Sequence, residues 1–137
     1  MTPERIAFVL TALAAVVVVL TRVRLASSGE GGAGRLGIPG TLVNLHTGFG
    51  VVALVLWGWF LLGDPGDLVG WLGLLCFWAT AVFGLMILAR WLPAKGRHAA
   101  EASSDSWGEG PGLSVLAHVG MVVGCVVWTT FLVAGKL

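Results

Sequence analysis

The chain has 137 residues, of which 57% are hydrophobic and 11% charged, and its formal net charge is +1. Soluble domains carry roughly 25% charged residues, so this composition excludes an ordinary water-soluble globule. The near-neutral balance gives no electrostatic case for nucleic acid or for an acidic partner.

The apolar material falls into four uncharged runs: Ile6 to Thr21, Thr41 to Gly63, Leu68 to Ala89 and Leu113 to Gly135. A spanning helix needs about 20 such residues, within a range of about 17 to 25. The last three runs meet that length, and the first does so with a little flanking sequence. The expected fold is all-α and integral to the membrane, a four-transmembrane-helix bundle forming a single membrane domain over 1–137. Its helices are expected at about 6–24, 40–63, 68–91 and 112–135, with inner loops at 25–39 and 92–111.

The first run, short and with a basic start, also suits a cleavable signal peptide. It ends in Thr21-Arg22-Val23-Arg24 with no small-residue cleavage motif directly after it, so it is expected to stay as a helix. Arg22, Arg24 and Arg35 follow it, and Arg90, Lys95 and Arg97 follow the third run, whereas the turn between the second and third carries only Asp64 and Asp67. The positive-inside rule then puts both longer loops on the cytoplasmic side of the inner membrane and both termini outside. Arg5 and Lys136 oppose that assignment weakly. Trp57, Trp59 and Trp71 around the acidic turn match an outer interfacial belt, and Trp91 matches the inner one. The long loops, rich in Gly, Ser and mixed charges, are expected to be mobile or to lie against a partner. Cys76 and Cys125 sit far apart in apolar runs, without metal or redox spacing, and read as buried inert thiols.

Segment 39–55 lies on 111–127 without a gap and with seven identities: Pro39/Pro111, Gly40/Gly112, Val43/Val115, His46/His118, Gly48/Gly120, Val51/Val123 and Val55/Val127. Valine matches come easily in apolar sequence, but the shared Pro-Gly, His and Gly at fixed offsets do not. The preceding helices agree faintly, Leu20-Thr21-Arg22 with Leu88-Ala89-Arg90. The bundle is therefore expected to be two parallel-repeat helical hairpins related by a pseudo-two-fold axis along the membrane normal. Proline at a helix start loses no needed hydrogen bond, and the glycines permit close approach of a helix or a flat ligand.

Every carboxylate lies in a loop or at a terminus, so a proton pump, cation channel or intramembrane protease lacks the acids it normally uses. The ionisable residues that do enter the apolar runs are His46 and His118. Each follows its Pro-Gly start by about seven residues, roughly 8 to 10 Å at 1.5 Å per residue, so both imidazoles fall at one depth. A porphyrin iron with two axial imidazoles needs this arrangement on facing helices of a four-helix bundle. Gly48, Gly50, Gly120 and Gly124 would let a macrocycle approach backbone, and Phe49 and Met121 would supply apolar walls. Of the inner cations that could meet the propionates, Arg22 and Arg90 occupy matching positions in the two hairpins. Asn44, Thr47, Ser114 and Thr129 suit either a ligand's polar edge, such as a quinone carbonyl, or interhelical bonding. His98 falls in the charged inner loop and reads as solvated.

With two repeat-related histidines, four helices and these glycines, the chain resembles the small membrane-embedded b-type cytochromes, including succinate-dehydrogenase-type anchors. The resemblance is one of architecture. It implies one haem b, ligated through its iron by His46 and His118, passing electrons between a partner subunit and a quinone near the inner surface. Helices 1 and 3 hold no histidine, so one haem is the maximum. The extramembrane mass is too small for a substrate-oxidising domain, which implies a larger respiratory or photosynthetic complex and no independent catalytic activity. Three rival expectations remain. The histidines bond neighbouring helices in a cofactor-free accessory or assembly subunit; or they point outward and each ligates a chlorophyll-type pigment; or, ranked last, the chain is a transporter, for which no broken helix or intramembrane charge speaks.

Overall fold

The computed structural model describes residues 1–27, 39–96 and 111–137, with side chains placed at 1–19, 39–89 and 115–137. These residues form four helices and no strand: α1 (Pro3–Ser27), α2 (Gly40–Gly63), α3 (Asp67–Gly96) and α4 (Pro111–Val133). Among the described residues, α2, α3 and α4 hold stretches long and apolar enough to cross a bilayer, which is the profile of a multi-pass membrane protein.

Helix ends have local causes. α1 begins at Pro3, ahead of its apolar run, because Thr2 caps it: the Arg5 N–H donates to Thr2 Oγ1 at 3.4 Å. Pro3 takes the first helical position and Glu4 meets the positive end of the helix dipole. Counting apolar residues alone misses such a polar first turn. α2 follows Pro39, whose carbonyl accepts from the Leu42 N–H at 2.9 Å. It stops at Asp64, left-handed at φ 49° and ψ 51°, a region that aspartate enters more readily than most residues with a Cβ. Pro65 and Gly66, at φ 91°, complete the turn into α3. α4 closes in a Schellman motif, with Gly135 at φ 60°, its N–H on the Leu132 carbonyl and the Lys136 N–H on that of Phe131.

Around the bundle each helix neighbours the next in chain order, and α1 closes the ring onto α4. α2 and α3 make the closest pair. Gly73 accounts for part of this, since a Cβ there would stand 3.0 Å from the Trp57 backbone nitrogen. α2 and α4 lie diagonally opposite, yet their side chains meet at two levels. One is an aromatic layer toward the Asp64 end of α2, where Trp57 and Trp128 lie 5.3 Å apart and Phe77 from α3 lies 4.6 Å from Trp128. All three are buried, among Ala7, Ala53, Leu74, Ala81, Cys125 and Leu132. Within lipid, truncation loses packing more than it loses transfer from water, so Phe77→Ala is expected to cost about 3 kcal/mol, the low end of the usual range. Equilibrium unfolding in mixed detergent micelles measures it.

Nearby, Trp78 Nε1 of α3 donates to Thr129 Oγ1 of α4 at 3.1 Å, while the Thr129 hydroxyl donates to the Cys125 carbonyl at 2.6 Å. Thr129→Val removes the acceptor without changing shape and is expected to cost about 1 kcal/mol by the same titration. The second level at which α2 and α4 meet is the pair of histidines.

Candidate functional site

His46 stands six residues into α2 and His118 seven residues into α4, about 9 to 10 Å along each axis. Their rings face across the bundle with centroids 6.1 Å apart and planes 22° from parallel. Both residues are half-buried. His46 Nδ1 lies 2.9 Å from the Thr80 carbonyl oxygen of α3. A carbonyl can only accept, so Nδ1 donates the hydrogen of this bond. This is the device by which ligating imidazoles are oriented.

Thr80 is itself held. Its hydroxyl donates to the Cys76 carbonyl at 2.8 Å, and Gly50 of α2 leaves room for its methyl group, which would lie 3.5 Å from a Cβ at that position. One turn further along α3, Gly84 forms the floor under both rings. A Cβ there would lie 2.7 Å from His118 Cδ2, 2.8 Å from His118 Nε2 and 2.9 Å from His46 Cε1. Three helices thus make the site: α2 and α4 each supply an imidazole, and α3 supplies the backbone against which both rest.

The other residues singled out from the sequence divide. Gly48 and Gly120 are exposed, with nothing within 4 Å of an added Cβ; they do not line the histidine pair, where the glycine is Gly84. Phe49 is half-buried and stacks on Phe83 of α3 at 5.6 Å, and Met121 packs against the aromatic layer. A Cβ at Gly124 would lie 3.8 Å from the Trp128 ring. Asn44 is exposed, whereas Thr47 bonds back to the Val43 carbonyl within its own helix. The side chains of Arg22, Arg24, Arg90, Trp91, Lys95 and Ser114, together with Arg35, Arg97 and His98, lie outside the described residues. Outward-pointing histidines, which separate pigment ligation requires, do not match two rings that face each other across the bundle. Among the described residues no three His, Cys, Asp or Glu side chains come together. Cys125 is fully buried and Cys76 half-buried, both as free thiols.

Gly84 and Thr80 escaped the sequence because neither is repeated. Aligned through Leu20-Thr21-Arg22 and Leu88-Ala89-Arg90, Gly84 falls on Val16 and Thr80 on Ala12, both exposed on α1. The available signal was a lone glycine in the middle of an apolar helix, which marks close approach.

Four helices, three of them long and apolar enough to cross a bilayer, give the chain the architecture of a multi-pass helical membrane protein. Comparison with known proteins finds no matching family model, no matching curated protein and no matching solved structure.

Proposed function

We propose that the chain is a membrane electron-transfer subunit that crosses the bilayer four times as two repeated hairpins. It holds one haem b through His46 and His118 and works beside a larger respiratory or photosynthetic complex. The observation that carries this reading is the meeting of two imidazoles from diagonally opposite helices, near-parallel and at one depth. In support, the Thr80 carbonyl accepts from His46 Nδ1, the kind of bond that orients ligating imidazoles. Bound haem would supply a one-electron carrier. This chain's residues would hold its iron with His46 and His118, wall it with apolar side chains and meet its propionates with Arg22 and Arg90 at the inner face, where the positive-inside rule puts the long loops. A quinone is the natural lipid-soluble acceptor or donor at that depth.

Gly84 sets a condition. Its backbone stands so near both rings that a porphyrin, which extends further than this from its iron in every in-plane direction, fits only if α3 stands back from the pair over Thr80–Gly84. The lack of a side chain at 84 favours that fit, and its present closeness opposes it. The same closeness favours a second reading, a cofactor-free accessory subunit in which the histidines join α2 and α4 to α3. The difference spectrum of the purified protein, reduced with dithionite against oxidised, separates the two. A sharp haem b α-band is expected; a featureless visible spectrum from folded, partner-bound protein overturns the electron-transfer reading.

A further inference from the structure

Among the described residues one polar side chain is buried, that of Thr80 on α3, at 7% exposure. Thr80 touches α2 at two places one turn apart. Its carbonyl accepts from His46 Nδ1 at 2.9 Å, and its methyl group fills a notch at Gly50, where an added Cβ would lie 3.5 Å from Thr80 Cγ2 and 3.8 Å from Oγ1. Positions 46 and 50 share a helix face because they are four apart, so a single residue of α3 engages both. The Thr80 hydroxyl, donating to the Cys76 carbonyl at 2.8 Å, fixes χ1 and keeps the methyl group toward Gly50.

We infer that Thr80 is a positioning residue for His46: gripping α2 at His46 and Gly50 together, it holds the ring with its Nδ1–H toward α3 and leaves Nε2 for a ligand. A neutral imidazole carries one N–H, and the bond made by one nitrogen decides where that hydrogen stays. The notch belongs to this helix and not to the repeat, since the residue four past His118 is Val122, packed against the aromatic core. The grip holds α3 at Thr80, so room for a macrocycle has to open one turn further on, at Gly84. The role of Nε2 toward an iron rests on the electron-transfer reading; the tautomer of the ring does not.

Full-length chain with its histidines enriched in the heavy nitrogen isotope, prepared without haem in lipid bilayers, is read by solid-state nitrogen NMR, in which protonated and bare ring nitrogens give separate signals. His46 is assigned by the signals lost in His46→Ala, and circular dichroism checks the helicity of every variant. Wild-type His46 is expected with Nδ1 protonated and Nε2 bare. Gly50→Ala, whose Cβ makes an ordinary contact with Thr80, is expected to keep that pattern. Gly50→Val, whose further methyl groups press Thr80 away, and Thr80→Ala, which empties the notch, are each expected to mix in the Nε2–H form. Haem added afterwards is expected to bind Gly50→Val about 10–100-fold more weakly than Gly50→Ala, the usual cost of losing an orienting bond. Wild-type His46 with Nδ1 bare, or with both nitrogens protonated, overturns the inference, as does a pattern unchanged in Gly50→Val and Thr80→Ala. A featureless haem difference spectrum beside the expected NMR pattern would sink the electron-transfer reading and leave the grip on His46 standing.

Discussion

His46→Ala and His118→Ala are each expected to abolish the reduced α-band of the purified protein and to lower haem affinity by more than the roughly 10–100-fold that losing an orienting hydrogen bond costs a metal site. The expectation is the same for both because each would hold the haem iron in the proposed site, although their surroundings differ. His46 is anchored to the Thr80 carbonyl, so its removal also strips α3 of a bond to α2. His118 lies with its Cδ2 and Nε2 edge over Gly84, so its removal strips α4 of packing against α3. The two variants should therefore agree in spectrum, and each is expected to destabilise the bundle. Haem titration followed by detergent unfolding reads both quantities. A band that survives either substitution would mean that the pair is not the ligand set.

Gly84→Ala carries the second large expectation, and its sign depends on what the site holds. With α3 where it stands, the new methyl group would approach three ring atoms at 2.7 to 2.9 Å. Imidazoles on short side chains have little freedom to retreat, so the helix must shift. Overpacking of this kind costs about 1–3 kcal/mol. If α3 instead stands away from the rings to admit a porphyrin, the methyl group meets no ring and the substitution costs little. Equilibrium unfolding of wild type and Gly84→Ala, each prepared with and without haem, tests this directly. A full penalty in both preparations favours a cofactor-free bundle. A penalty only without haem supports the cytochrome reading, and no penalty in either means that the rings do not rest on Gly84.

How far the sequence carried differs from one part of the molecule to another. The helical architecture was legible because unbroken apolar runs of this length have few other uses, and α2 starts and stops where Pro39 and Asp64 say it must. The histidine pair was legible because the 39–55 and 111–127 segments share Pro-Gly and His at fixed offsets, and an equal offset on two parallel helices means an equal depth. Thr80 and Gly84 were not, because they act through a backbone carbonyl and an absent side chain, which leave no residue-type signature. Nor could helical periodicity show that Gly48 and Gly120 face away from the pair. In helices apolar on every side, no polar face fixes the rotation about the axis, and only packing against α3 does so.

The depth of the histidine layer has an electrical consequence. It lies about 9 to 10 Å from the starts of α2 and α4, near a third of a hydrocarbon core about 30 Å thick, and the close-packed layer of Trp57, Phe77 and Trp128 stands between it and the opposite face. An elementary charge moved across the whole membrane gains or loses about 2.3 kcal/mol per 100 mV. A charge exchanged between the histidine level and the nearer face would sense only about a third of that, about 0.7 kcal/mol per 100 mV. A redox centre at this level would follow only about a third of any change in membrane potential, measured against the nearer compartment.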